Sequence, residues 1–154
     1  MKFSAKSDIE ASAEEVFRQC SDFAAFERLA LQRGVQVSSR GALKQPGAER
    51  GWDIRIKLRG RPRDIAVEMV GYDTPNSLIF VASGGGVVSD VIIELVALAR
   101  NRTRLHMTVD VRPQTMGGRL LIQSLKLAKG TLACRLQKRV SDFAAHIVDN
   151  VQTV

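Results

Sequence analysis

The sequence predicts an α+β domain: an antiparallel sheet of about six or seven strands, in the order β-α-α-β×5–6-α, wrapped around a long C-terminal helix. Three observations carry this. Most of the strand-like segments alternate apolar and polar residues, as a sheet covered on one side requires. Two short helices with good N-caps separate the first strand from the others. The last third carries apolar residues every three or four positions. The 154 residues are 45% hydrophobic and 25% charged, as expected of one globular domain spanning 1–154. A chain of this length buries enough surface to fold without disulfides or metal.

Phe3, Ala5, Ser7, Ile9 and Ala11 share one face of the first strand, and Lys2, Lys6, Asp8 and Glu10 the other. Ser12-Ala13-Glu14-Glu15 is a capping box, with the Ser12 hydroxyl accepting from the Glu15 N–H and the Glu15 carboxylate reaching back. Asp22 caps a second helix carrying Phe23, Phe26, Leu29 and Ala30, which Gly34 ends. Val35 and Val37 mark a short strand, and Gly41 to Gly51 reads as a loop. Trp52, Ile54, Ile56 and Leu58 alternate with Asp53, Arg55, Lys57 and Arg59. Gly60-Arg61-Pro62 is a turn, after which Ile65, Val67 and Met69 alternate with Asp64 and Glu68. Thr74-Pro75-Asn76-Ser77 is another turn, followed by an apolar strand from Leu78 to Ser83. Gly84-Gly85-Gly86 reads as a mobile rim before the long strand Val87 to Ala99. The next strand, over residues 103–112, is closed by Pro113. Pairing these two around Asn101, with Ala99 opposite Thr103, sets Asp90 opposite Arg112 and Glu94 opposite Thr108; a register placing Asp90 opposite Asp110 would join like charges. Residues 116–150 read as one long helix with the stripe Leu121, Leu125, Ala128, Leu132, Leu136, Val140, Phe143 and Ile147, and Gly130 marks a bend or a close approach.

Composition excludes several functions. No apolar run is long enough for a transmembrane helix, and the charged start Met1-Lys2-Phe3-Ser4-Ala5-Lys6 is no secretory signal, so a cytoplasmic location is expected. Cys20 and Cys134 have no Cys or His at metal spacing and read as small buried side chains; no metal and no cofactor is expected. Asp90 and Glu94 would lie about 13 Å apart along a strand, beyond the roughly 5–9.5 Å of a paired-carboxylate mechanism. His106 falls in the polar strand phase and His146 near the helix end. Lys57, Arg59, Arg61 and Arg63 recur every second residue, as a phosphate site or as edge protection would. The net charge of +7 is concentrated at residues 100–139. That third suits an anionic surface or an acidic protein; its charges are spread rather than interleaved with aromatics, so nucleic acid is not the expected partner.

The opening Ile9-Glu10-Ala11-Ser12-Ala13-Glu14-Glu15-Val16-Phe17, with Asp22-Phe23, Phe26-Glu27, Asn101-Arg102-Thr103-Arg104-Leu105 and the C-terminal helix, resembles the SRPBCC (START/Bet v 1-like) superfamily with its helix-grip fold, in a polyketide cyclase/dehydrase or lipid-transport-like branch. The resemblance spans essentially the whole chain and implies a cavity for a hydrophobic small molecule such as a lipid, sterol, polyketide or quinone. The iron of related Rieske-type oxygenase domains would need two His and a carboxylate, and His106 and His146 sit on different elements. The strands' apolar phase would face the long helix, and near the helix start it would line a pocket made by Trp52, Ile54, Ile56, Val67, Met69, Val91, Ile93, Met107, Val109, Leu121 and Leu125. Gly117-Gly118 would leave that helix start poorly anchored, and one Trp, one Tyr and six Phe are few with which to fill the space. Carriage of a hydrophobic or amphipathic molecule is the leading expectation. A cyclase or dehydrase would need polar groups inside, for which Ser7, Ser89, Tyr72 and Arg55 are the candidates; an interaction module would use the basic third.

Overall fold

The computed structural model describes residues 1–40, 50–58 and 60–152. The order is β1 (Lys2–Ile9), α1 (Ala13–Cys20), α2 (Phe23–Gln32), β2 (Gln36–Arg40), β3 (Arg50–Leu58), β4 (Arg61–Asp73), β5 (Ser77–Gly84), β6 (Val87–Ala99), β7 (Arg102–Pro113), α3 (Met116–Leu127) and α4 (Lys129–Gln152). The strands form one antiparallel sheet ordered β1-β7-β6-β5-β4-β3-β2. Most of the loop expected over Gly41 to Gly51, and Arg59, lie outside the described residues.

The helix starts follow their caps. Ser12 Oγ accepts from the Glu15 N–H at 3.2 Å and Asp22 Oδ1 from the Ala25 N–H at 3.2 Å. The reciprocal half of the capping box does not form. Instead the Glu15 carboxylate accepts from Arg18 Nε at 3.0 Å, a charge-assisted bond that outcompetes a neutral backbone N–H, and from the amide of Gln19 at 3.1 Å.

One face of the sheet is dry. Ile9, Leu78, Leu95 and Leu105 from the strands pack with Val16, Phe17 and Cys20 of α1 and with Val140, Ala144 and Ile147 of α4. Thr103 is fully buried there, its hydroxyl donating to the Ala11 carbonyl at 2.8 Å. Asn150 of α4 donates to Gln19 Oε1 at 3.0 Å and ties α4 to α1 at this end. Along β1, the Gln137 side chain donates to the Lys6 carbonyl and accepts from its N–H, occupying the free edge of the strand.

Three expectations need correction. First, the β6–β7 register sets Asp90 opposite Asp110 and Glu94 opposite His106, because the turn pairs Ala99 with Arg102 rather than Thr103 and Leu98 is an extra residue between Ala97 and Ala99. The repulsion is offset locally: Arg112 reaches Asp90 diagonally at 2.8 Å, and the chain's amino terminus lies 3.8 Å from Asp110. Second, the C-terminal helix is two segments that break at Ala128. The Ala128 N–H turns back to the Leu125 carbonyl, closing α3, and the Leu132 N–H bonds to the Ala128 carbonyl, opening α4. A Cβ at Gly130 would meet nothing within 4 Å, so that glycine serves no close approach. Third, Gly84-Gly85-Gly86 is no loose rim and the helix start is not loosely held. The Gly86 carbonyl accepts from the Gln114 N–H at 2.7 Å and the Thr115 N–H at 3.3 Å. Thr115 Oγ1 caps α3 by accepting from the Gly118 N–H, and a Cβ on Gly118 would overlap the Gly86 carbonyl oxygen. The two glycines let the β5–β6 turn and the first turn of α3 meet backbone to backbone.

The cysteines differ. Cys20 is buried, and burial pushes its thiol up to about 12, whereas Cys134 is exposed. Only the second fits the environment of a reactive thiol. A thiol reagent added to the native protein at pH 8 should therefore modify Cys134 alone, and Cys20 only after denaturation; rapid native labelling of Cys20, read by peptide mass, would contradict this packing.

Candidate ligand-binding site

Cross-strand partners share a face, so the register defines the inner surface row by row. One row runs Met69, Phe80, Val91, Val109, Phe3; the next, toward the β3–β4 turn, runs Trp52, Val67, Ala82, Ser89, Val111. Beyond these lie the pairs Ile54–Ile65 and Ile56–Arg63. All belong to the face that carries the core.

Burial divides that face in two. Trp52 and Met69 are buried in the core, with Ile54, Val67, Ile93 and Met107 packed against it. Ile56, Val91 and Val109 lie outside the core cluster and are only half-buried, as are Leu121 and Leu125 of α3. Leu121 and Leu125 sit three and seven residues after buried Gly118, on the helix face that includes buried Ile122. The face is thus filled at the α1 end, where α4 covers it, and incompletely covered near the start of α3.

An aromatic group separates the two regions. Trp52 lies 5.1 Å from Phe23 and 6.2 Å from Phe80, ring centre to ring centre. Its Nε1 donates to Glu27 Oε1 at 2.8 Å, and Arg50 reaches the same carboxylate at 3.4 Å. The Arg50 guanidinium also sits 5.0 Å from the Phe23 ring centre and 5.2 Å from that of Trp52. The paired charges and the satisfied indole hold the tryptophan rigidly at the inner end of the incompletely covered region.

Polar groups on this face are few. Ser89 Oγ is buried without a hydrogen-bond partner, and Arg63 is half-buried with its Nε likewise buried and unpartnered. Tyr72 is on the inner face with its ring edge-on to Phe17, and Ser7 is half-buried on β1. Arg55 is on the opposite face, paired with Asp64 at 3.0 Å. The acidic residues of the described strands, Asp64, Glu68, Asp90 and Asp110 among them, all fall in the outward phase.

Lys57 and Arg63 do not share a face, contrary to the period-two reading across the turn. The inner phase is even-numbered on β3 and odd-numbered on β4, so Lys57 points outward and Arg63 inward. Arg50 and Arg63 were the residues missed as features of the inner face. The available signal was an arginine in phase with apolar neighbours: Arg50 with Trp52 and Ile54, Arg63 with Ile65 and Val67.

His106 is half-buried on the outer face opposite Glu94; His146 is exposed on α4, its Nε2 3.1 Å from Asn150 Nδ2. Among the described residues no three His, Cys, Asp or Glu side chains converge as metal ligands, and no helix is long and apolar enough to cross a membrane. Part of the basic third is engaged on the outside: Arg102 and Arg104 with Asp8, Arg112 with Asp90 and Lys138 with Asp142. The hydrogen bond from Arg104 holds the Asp8 carboxyl below its ordinary range. That contribution is complete above about pH 4 and is lost as pH falls through the lowered value.

No protein-family model matches the sequence, and no curated protein matches it. Solved structures do. An aromatase/cyclase from Streptomyces sp. R1128 superposes with a TM-score of 0.65 over 96% of this chain and 95% of its own, at 12% identity. Norcoclaurine synthase from Thalictrum flavum gives a TM-score of 0.69 over 98% of this chain and 92% of its own, at 13% identity. A START superfamily protein from Mycobacterium smegmatis gives 0.59 over 92% and 98%, at 17% identity. At such identities the likeness is one of fold, and it extends over nearly the whole chain. Joined to the strand order and the helices packed on one face, it shows that the chain has the helix-grip fold of the SRPBCC (START/Bet v 1-like) superfamily.

Proposed function

We propose that the protein binds a hydrophobic or amphipathic small molecule, such as a lipid, polyketide or quinone, between the inner face of the sheet and α3. One observation carries this reading: Ile56, Val91, Val109, Leu121 and Leu125 are only half-buried, although they share a face or a helix side with fully buried residues. Apolar side chains incompletely covered within a concave surface gain free energy when an apolar guest covers them, at roughly 25 cal/mol per Å². The structural relatives named as an aromatase/cyclase and a START protein are compatible with such a guest.

Carriage is favoured over catalysis. A cyclase or dehydrase needs a general acid or base at the guest. The strand carboxylates point away from the inner face, and among the described residues no carboxylate or imidazole bonds to Ser89 or Tyr72 there. The anionic-partner reading is weaker, since Arg102, Arg104, Arg112 and Lys138 already pair within the chain.

Native mass spectrometry of the purified protein tests the proposal. A bound species of a few hundred daltons that leaves on denaturation, or stoichiometric uptake of an added C12 amphiphile, is expected. A bare protein mass together with no uptake of dodecanol or dodecanoate would overturn it.

A further inference from the structure

We propose that the guest of this cleft is an amphiphile with an anionic head, and that Arg63 at the β3–β4 end of the inner face is the group that receives the head. The inference rests on the binding reading above and specifies its chemistry.

Arg63 stands opposite Ile56, in phase with Ile65 and Val67, and so on the inner surface. It is half-buried, its Nε is buried without an acceptor, and among the described residues no carboxylate pairs with it. Arg50, the other half-buried arginine of this face, also has its Nε buried without a partner, but its charge is met: the guanidinium reaches Glu27 and stacks on Phe23 and Trp52. A guanidinium cannot shed its charge at any physiological pH, so an unpaired one beside apolar side chains is unfavourable unless an anion arrives. Its planar donor array matches the two oxygens of a carboxylate or phosphate. Because the strand carboxylates lie on the other face, none of them competes for it. Exposed Arg61, two residues away in the same phase, adds to the positive potential at the mouth.

Ser89 is the second, independent observation. Its buried, unpartnered hydroxyl lies two strands from β4, in the row of Val67 and Ala82. From strand spacing and rise it is about 16 Å from Arg63, backbone to backbone. A cleft built for a plain hydrocarbon would gain from Ala at this position. A hydroxyl here fits a guest with a polar atom along its apolar body, its charged head remaining at Arg63.

The test compares dodecanoate, dodecyl phosphate and 1-dodecanol by isothermal titration at pH 7.5, using the full chain. The wild type should bind at least one of the two anions about tenfold more tightly than the alcohol. Arg63→Gln should remove that preference, weakening the preferred anion about tenfold more than dodecanol, and Arg63→Lys should retain part of it; circular dichroism confirms that each variant is folded. Dodecanoate or dodecyl phosphate as the better ligand identifies the head as carboxylate or phosphate. If dodecanol binds as well as both anions, or the preference survives Arg63→Gln, the anionic-head inference is overturned and the binding reading stands. If none of the three binds, both fail.

Discussion

If the guest binds as proposed, 1-dodecanol should shift or quench the emission of Trp52, and Leu125→Arg should abolish that change without unfolding the protein. Trp52 is the single tryptophan, so the signal has one source. Its indole is 6% exposed, bonded to Glu27 and boxed by Phe23 and Phe80, which leaves little motion of its own to confuse the reading. Val67 stands opposite Trp52 and Ile54 follows one pleat along, so a guest lying across them alters the field at the indole. Leu125 is half-buried on the α3 side. An arginine there can lead its charge out to water along its stem, so the fold survives while the apolar surface offered to the guest is lost. Covering a leucine side chain is worth about 1.5–3 kcal/mol, so affinity should fall at least about tenfold. An unchanged fluorescence titration with Leu125→Arg would place the guest elsewhere.

A second large effect separates two adjacent glycines. Gly118→Ala should destabilise the protein by about 3 kcal/mol, whereas Gly117→Ala should leave it unchanged or stabilise it by up to about 1 kcal/mol. A Cβ on Gly118 would overlap the Gly86 carbonyl oxygen and come 2.6 Å from its carbon, both backbone atoms that cannot move aside alone. Separating them disturbs the bonds from the Gln114 and Thr115 N–H groups to that carbonyl. A Cβ on Gly117 would meet only Thr115 Oγ1, at 3.8 Å, while removing a helix-interior glycine. For a chain of this size the Gly118 variant should melt about 10 °C lower. Equal urea midpoints for the two variants would show that the turn and the helix are not locked together.

The lock matters for the site. From sequence alone Gly84-Gly86 reads as a mobile rim and Gly117-Gly118 as a loose anchor, the latter one ground for the pocket beside the dry sheet face and the few aromatics. The two glycine segments instead hold each other, and the incomplete covering of the inner face has another origin. The backbone of α4 comes nearest β1, at one edge of the sheet, and that of α3 nearest β7, while Ile56 near the β3–β4 turn stays half-buried. The break at Ala128 makes that arrangement possible, and helical periodicity continues through it without a mark.

What the sequence determined by itself was strand phase, most helix ends and element order, which depend on neighbours in the chain. Period-two alternation showed which side of β3, β4 and β7 is dry, because side chains on a strand must alternate. Ser12, Asp22 and Gly34 marked where helices begin and end, because caps act within a few residues. The strand and helix order, with residues such as Ile9 and Thr103 that prove fully buried, was enough to reach the helix-grip fold. What only the tertiary structure decided were relations between distant segments. The Ala99–Arg102 pairing at the turn and the extra residue Leu98 shifted the β6–β7 register, and Arg112 with the amino terminus made the Asp90–Asp110 pairing tolerable. The inward phase of Arg63 was legible beside Ile65 and Val67, but its lack of a carboxylate partner among the described residues was not. A bulge costs little locally, and an arginine's partner is set by segments that meet only after folding.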